Sequence, residues 1–186
     1  MSNEYKDWER DKIEDEKLIV AEYPFLRVRD IDGTVDMNAK FPLMYLEIPD
    51  GWNRLFLQMC KDIKPILQKE GMLENFSFIQ VKEKYNRLIC YHRGAPEEVD
   101  DIIRKYEVMA SYICTRCGQP ASRETQGYIA SFCESCWKEI EAKIHDRCES
   151  IEFKPYFKVT GFSKGEHYEK TISFEEEWNR YIQELN

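Results

Sequence analysis

Four cysteines are the residues of this chain whose spacing most directly specifies chemistry. Cys114-Thr-Arg-Cys117 and Cys133-Glu-Ser-Cys136 are two Cys-x-x-Cys pairs with fifteen residues between them (118–132), a spacing that belongs to four-thiolate zinc sites. Each pair presents two sulfurs to one tetrahedral ion at about 2.3 Å, and the intervening loop brings the second pair back to close the shell. Gly118 directly follows the first pair, removing a side chain where the backbone must turn sharply. Two separate redox pairs are the rival reading, but a thioredoxin-like pair requires a βαβ context that this sequence lacks. The expectation is one structural zinc ion on Cys114, Cys117, Cys133 and Cys136. Four protein thiolates leave no open coordination position, so such a site folds the chain and does not activate water. His145 and Cys148 are the local competitors for the metal, while Cys60 and Cys90 fall on apolar faces as core thiols.

A second group lies in the middle of the chain. Lys82, Lys84, Arg87 and Arg93 stand against the single acid Glu83, with Tyr85, Tyr91 and His92 interleaved. Cations beside planar rings can hold a phosphate and stack a base. Lys82, Lys84, Arg87, Tyr91 and Arg93 are therefore the candidate ligand residues, for an anionic nucleotide-like small molecule or an acidic partner surface. An ordinary solvated hairpin is the competing reading. Arg116 and Arg123 would extend the patch if the zinc loops fold back over it. For catalysis there is no nucleophile beside a base, no carboxylate pair in an apolar setting and no glycine-rich phosphate loop. Glu175-Glu176-Glu177 and Asp100-Asp101 sit at helix beginnings, where acids complement the dipole. No catalytic residue is assigned.

The elements that must position these groups follow from periodicity. Glu4 to Lys17 mixes charges around Tyr5, Trp8 and Ile13, the pattern either of a solvated helix with a thin packing stripe or of a frayed terminus. Tyr23-Pro24-Phe25-Leu26 is an aromatic-apolar knot at the core edge, and Asp32-Gly33 marks a turn. Trp52, Leu55, Phe56, Met59, Cys60, Ile63, Ile66 and Leu67 share one helical face, with Asp50 as N-cap, Gly71 as stop and a kink near Lys64 from Pro65. Phe76 to Val81 and Leu88 to Tyr91 read as two strands joined by a turn over Lys82 to Arg87, with Phe76, Phe78, Gln80 and Lys82 on one face. Pro96 opens a helix carrying Val99, Ile102, Ile103, Tyr106 and Met109. Trp137, Ile140 and Ile144 form a short helix after the second cysteine pair. Ile151 to Thr160 is extended, Gly161 to Gly165 turns, and Tyr168 to Ser173 pairs back. Ser173 and Glu176 match a capping box ahead of Trp178, Tyr181, Ile182 and Leu185.

The fold class expected is α+β: a small antiparallel sheet covered by helices, with an inserted zinc ribbon and a C-terminal hairpin plus helix. The corresponding divisions are a main domain over 1–112, a zinc-ribbon module over 113–148, and a segment over 149–186 packing on the rest. At 186 residues and 42% hydrophobic content, the chain can bury one proper core and a satellite. A net charge of −8 repels a polyphosphate backbone and disfavours nucleic acid as partner unless positive charge gathers on one face. Seven cysteines without an apolar leader point to a reducing, cytoplasmic setting. No stretch approaches the roughly 18 apolar residues of a membrane span. Oligomeric state, monomer or homo-oligomer, is left open.

The order Tyr23-Pro24-Phe25-Leu26, Asp50-Gly51-Trp52, Gln80-Val81-Lys82-Glu83-Lys84-Tyr85, then Cys114-x-x-Cys117-Gly118 and a second cysteine pair resembles a family of small uncharacterised proteins of bacterial prophages and phages, mostly of Gram-positive hosts. The likeness covers Leu18 to Lys143. In the family pattern a Gly or small residue often stands at Asn86, and an Arg often stands at Ile89; this chain departs at both. The resemblance implies a phage or prophage origin, host-cell cytoplasm as location and a zinc ribbon, and carries no activity to transfer. The combined expectation is a non-enzymatic zinc-containing binding protein that engages a host protein or sequesters an anionic nucleotide-like ligand in counter-defence. The alternatives are a zinc-ribbon nucleic-acid-associated factor and a nucleotide-acting enzyme.

Overall fold

The apolar stripe that opens at Trp52 organises the structure. In a computed structural model, residues 4–143, 147–163 and 166–185 are described. The chain runs through α1 (Glu4–Glu22), a 3-10 turn (Pro24–Leu26), β1 (Leu46–Glu47), a second 3-10 turn (Asp50–Trp52) and α2 (Asn53–Lys69). The hairpin of β2 (Ser77–Lys84) and β3 (Arg87–Arg93) comes next, followed by α3 (Glu97–Ala110). The second half consists of β4 (Arg123–Thr125), β5 (Ser131–Phe132), α4 (Glu134–Ile140), β6 (Cys148–Ser150), β7 (Tyr156–Ser163), β8 (Glu166–Ser173) and α5 (Glu175–Leu185). The architecture is α+β, with small open sheets. No helix among the described residues is long and apolar enough to cross a membrane.

The first sheet has the order β1-β2-β3. α2 and α3 pack together, with α3 against β3, so Phe78, Val81, Leu88 and Cys90 are buried with Leu55, Phe56, Met59, Ile63, Val99, Ile103 and Tyr106. Phe25, Phe76 and Phe78 form an edge-to-face cluster with ring centroids 5.1 to 6.1 Å apart, which makes the knot at Tyr23 to Leu26 part of the core. Burial of such rings is the main stabilising term of a domain this size. A second, smaller core gathers Cys114, Ala130, Phe132, Cys136 and Trp137 around the sheet β5-β4-β6. α5 returns to the first core through Tyr181, and Phe153 stacks on Trp178 at 4.4 Å.

Several expectations need correction. The sheet is not wholly antiparallel, because β1 pairs parallel to β2 through Leu46↔Val81 and Glu47↔Lys82. The hairpin turn is only Tyr85-Asn86, both at positive φ (53° and 58°), the two-residue form whose twist suits antiparallel strands. Strand pairing therefore continues through Lys84↔Arg87. A bulge between Phe78 and Gln80 shifts the side-chain alternation, so Phe76 and Phe78 are core whereas Gln80 and Lys82 lie on the opposite face. As expected, α2 continues through Pro65, since its ring forfeits one backbone bond without ending a helix pinned by a long buried face. Asp50 begins the 3-10 turn and makes no side-chain cap to α2. Strand β7 runs through Gly161 to Ser163, and Ser173 Oγ accepts from Glu175 N at 3.3 Å. Ile144, His145 and Gly165 lie outside the described residues, as do the side chains of Tyr5 and Trp8.

The free edge of β3 is closed by a side chain: Cys90 N donates to Glu107 Oε1 at 2.8 Å. Burial raises the Glu107 carboxyl above its usual value of 4.5, against the opposing pull of the Cys90 amide and of Arg104 and Arg87. The folded chain thus keeps this proton to higher pH than the unfolded chain does. Its contribution is fully present below the unfolded value and is lost as pH rises through the raised folded value. Glu107→Gln keeps an acceptor for Cys90 and removes the buried charge. Thermal denaturation should therefore show a higher Tm than the parent at about pH 8 and little difference at about pH 4.

Candidate functional site

The first cysteine pair is built where α3 runs out. Ile113 bridges to Pro120, Cys114 N donates to Gln119 O at 2.8 Å, and Gly118 N donates to Cys114 O at 3.0 Å. The tight loop this closes requires φ = +76° at Gly118, which a side chain would strain. The second pair is delivered by β5: Cys133 is the N-cap of α4, and its Sγ accepts from Cys136 N at 3.4 Å. All four Sγ atoms lie within 4.8 Å of one another, and Cys117 Sγ to Cys133 Sγ is 3.6 Å. Four sulfurs on one tetrahedral ion at the usual bond length stand about 3.8 Å apart, so the cluster is placed to hold a metal ion with shifts of no more than about 1 Å between sulfurs. Burial raises the Cys114 thiol, but the backbone N–H groups of Cys133, Cys117 and Arg116 outweigh it and hold that thiol below its usual range. Donors of this kind favour thiolate, the form that ligates. Cys148 lies on β6 outside the cluster. Cys60 and Cys90 are buried core thiols, each pushed up by burial.

The pair at Cys114 is clamped from three directions. Gly51 N donates to Thr115 O at 3.0 Å, Trp52 Nε1 donates to Ile113 O at 3.2 Å, and Tyr181 of α5 donates its hydroxyl to Gly118 O at 2.7 Å. Burial pushes the Tyr181 hydroxyl up to about 12, so it remains a donor throughout the neutral range. From the other side, the hairpin turn enters the ribbon. Asn86, 1% exposed, donates through Nδ2 to Glu124 Oε2 at 2.7 Å and Ser131 Oγ at 2.6 Å. Ser131 Oγ in turn donates to Ser111 O at 2.7 Å. Sequence reasoning passed over Gly51, Asn86 and Tyr181 as site-forming residues. The only available signal was that Asn suits a positive-φ turn, and it does not say which way the amide points.

Among the described residues, no helix packs on the face of the β1-β2-β3 sheet opposite α2 and α3. Cross-strand partners share a face, so Lys84↔Arg87, Lys82↔Ile89 and Gln80↔Tyr91 all lie there, and alternation along β3 adds Arg93. Lys82 Nζ stands 5.3 Å from the Tyr91 ring centroid and donates to Gln80 Oε1 at 2.9 Å. His92 is turned inward instead, against Phe76 at 5.6 Å. Among the described residues, Lys82, Lys84, Arg87 and Arg93 have no carboxylate within ion-pair distance, although most other cations of this acidic chain are paired with one. Arg116 and Arg123 do not extend the patch, because Arg116 pairs with Glu139 at 2.9 Å and Arg123 with Glu134 at 2.7 Å.

The structure separates the five candidate ligand residues along this face. Lys84 and Arg87 are beside the turn, Lys82 and Tyr91 are central, and Arg93 is at the far end. There it borders a cleft of about 590 Å³ lined by Arg27, Arg29, Ile31, Tyr45, Ile79 and Arg93, among others. Its wall is the segment 27–33, which the Asp32-Gly33 turn folds back beside β2. A second cleft, about 480 Å³, lies between hairpin and ribbon and is mainly apolar, with Thr115, Tyr128 and Phe132 in its lining. In comparisons with protein-family models, curated proteins and solved structures, none matches this chain.

Proposed function

We propose that this is a non-enzymatic, zinc-containing binding protein whose uncovered sheet face takes an anionic nucleotide-like ligand. The observation carrying the reading is the row of cations along one face, Lys84, Arg87, Lys82 and Arg93, none with a carboxylate within ion-pair distance among the described residues, with Lys82 5.3 Å from the half-exposed ring of Tyr91. In a chain of net charge −8, cations without carboxylate partners on a single surface concentrate positive potential there. An exposed aromatic ring adds a surface for a planar base. Zinc is the metal that four cysteine thiolates suit best, and its role here is to hold the ribbon against the hairpin turn. The resemblance to phage and prophage proteins supplies a setting, sequestration of a nucleotide signal of host defence, with a host protein as the other candidate partner.

The test is calorimetric titration of the purified protein with cyclic and linear nucleotides at low and high salt. Saturable binding that weakens with salt and weakens about tenfold or more in Lys84→Glu/Arg87→Glu supports the reading. No binding to any nucleotide overturns it. A nucleic-acid-associated role is favoured less, since the paired state of Arg116 and Arg123 leaves the ribbon without free cations from these positions. Salt-dependent binding of single-stranded oligonucleotides with none of mononucleotides would select it instead.

A further inference from the structure

The cleft beside Arg93 has features that the rest of the face lacks. Its two central guanidinium groups are both fixed by backbone carbonyls of one tight turn, and Arg29 also by that of Glu74. Arg29 donates through Nη1 to Gly33 O at 2.9 Å and through Nη2 to Glu74 O at 3.1 Å, and Arg93 donates through Nη2 to Ile31 O at 3.1 Å. The turn is held by Gly33 N to Asp30 O at 2.9 Å and by Thr34 N to Asp32 Oδ1 at 2.9 Å. Gly33 adopts φ = +93°, and a Cβ there would come to 2.6 Å of Arg93 Nη1. The glycine thus both permits the turn and makes room for the guanidinium. Carbonyl oxygens orient an arginine without cancelling its charge, so both cations remain available to an anion. Arg29 Nε is a buried donor with no acceptor among the described residues.

Charge and shape narrow the ligand. Arg27 is already opposed by Glu74 at 3.6 Å, and the Asp32 carboxylate acts on Arg93 only from beyond ion-pair distance, which leaves Arg29 and Arg93 as the pair without a direct carboxylate partner among the described residues. Their combined charge matches a single phosphate monoester, which carries about −1.5 to −2 at neutral pH. Two carboxylates also line the cleft, Asp30 at its exposed rim and Glu47, which accepts from Gln80 Nε2 at 2.9 Å. Further phosphates on the same ligand would meet that negative charge. Ile31, Met44 and Ile79 supply apolar wall. Two residues up β3 on the same face stands Tyr91, about 6.8 Å along the strand, a separation comparable to that between the phosphate and the base of one nucleotide.

We propose that the Arg29–Arg93 cleft is the phosphate seat of the sheet face and that its ligand is a nucleoside monophosphate whose base lies on Tyr91. This rests on the reading of the face as a nucleotide-binding surface and specifies where on it the anion sits and how many phosphates it carries.

The experiment is calorimetric titration of the full, metal-loaded chain with the four common ribonucleoside monophosphates, ATP and inorganic phosphate, on the parent, Arg93→Lys and Tyr91→Ala. Thermal denaturation of each variant confirms a parent-like Tm, and Lys138→Glu on α4 serves as the charge-changing control. The expected result is that monophosphates bind at least about fivefold tighter than ATP. Arg93→Lys, which keeps the charge but loses the fork, should weaken them about tenfold, and Tyr91→Ala should weaken them about tenfold through lost stacking. Three results overturn the proposal. ATP binding tighter than every monophosphate, with losses in Lys84→Glu/Arg87→Glu but none in Arg93→Lys, moves the anion to the hairpin turn and leaves the broader reading standing. Inorganic phosphate binding as tightly as the nucleotides, with Tyr91→Ala silent, removes the base contact. Absence of binding by all nucleotides sinks the proposal together with the reading beneath it.

Discussion

Cys114→Ser is expected to abolish retention of one equivalent of zinc and to unfold the segment from Cys114 to Ser150 while leaving much of the helical signal in place. The reasoning starts from the small core of the ribbon, which consists of Ala130, Phe132, Trp137 and two of the cysteines themselves. Its strands are two or three residues long. Strands and a core of that size do not fold alone. A structural zinc contributes about 10–16 kcal/mol to such modules, as much as the roughly 5–15 kcal/mol by which whole domains are stable. Removing one of four thiolates should therefore empty the site. Elemental analysis gives the stoichiometry, and limited proteolysis locates the unfolded segment at Arg116, Arg123 and Lys138. Cys148→Ser should retain the metal, because Cys148 lies outside the cluster. A parent protein purified without any zinc would overturn the assignment of the ion, and zinc retained in Cys114→Ser would overturn the assignment of the ligand.

Gly51→Ala is expected to be the most damaging single-methyl change in the chain, destabilising by about 3 kcal/mol. The new Cβ would overlap the carbonyl oxygen of Cys114 and come to 2.8 Å of both Gly118 N and the Thr115 carbonyl carbon. Those are backbone atoms of the first cysteine pair, which cannot rotate away as a side chain can. Either the 3-10 turn at Asp50–Trp52 or the cysteine loop must shift, which breaks the Gly51 N to Thr115 O bond and disturbs the thiolate geometry. Gly71→Ala is the comparison: nothing lies within 4 Å of its Cβ position and only φ = +67° opposes it, so about 1 kcal/mol is expected. Chemical denaturation with and without a chelator tests both. Gly51→Ala should weaken zinc retention as well as stability, whereas Gly71→Ala should change stability alone. Equal effects for the two glycines would mean that the contact at Gly51 is not tight.

The parts of this arrangement that were legible in the sequence are those set by local spacing. The two Cys-x-x-Cys pairs, the stripe from Trp52 to Leu67 and the stripe from Val99 to Met109 each carry a period that only one element satisfies. What was not legible depends on contacts between segments far apart in the chain. β1 is two residues, Leu46 and Glu47, too short for any alternation to show, and its parallel pairing is fixed by where the segment 27–44 is led around the core. The bulge at Phe78–Gln80 reverses the expected partition of the strand because two phenylalanines and Val81 all reach the same core, which a strict alternation forbids. Asn86 has the composition of a solvated turn, yet it is buried because the ribbon supplies acceptors at Glu124 and Ser131. The cationic residues were visible as a cluster, but their separation along the face, and the inclusion of Arg29 in the cleft, follow from the turn at Asp30–Thr34 lying beside β2.

The clamp on the cysteine loop also bears on the order in which the molecule can assemble. Trp52 to Ile113 spans 61 residues and Tyr181 to Gly118 spans 63 in the opposite direction, so the loop is the meeting point of two long chain closures that share no residues. Contacts of such separation form late, after most of the loop entropy has been lost. During synthesis from the N-terminus, the four thiolates emerge while Tyr181 is still roughly 45 residues from being made, since Cys136 precedes it by that distance. Metal capture can therefore precede docking of α5, and the nascent ribbon spends that interval with the Gly118 carbonyl unprotected. The hydroxyl-to-carbonyl bond from Tyr181 to Gly118 therefore reports the docking of α5 on an already folded cysteine loop.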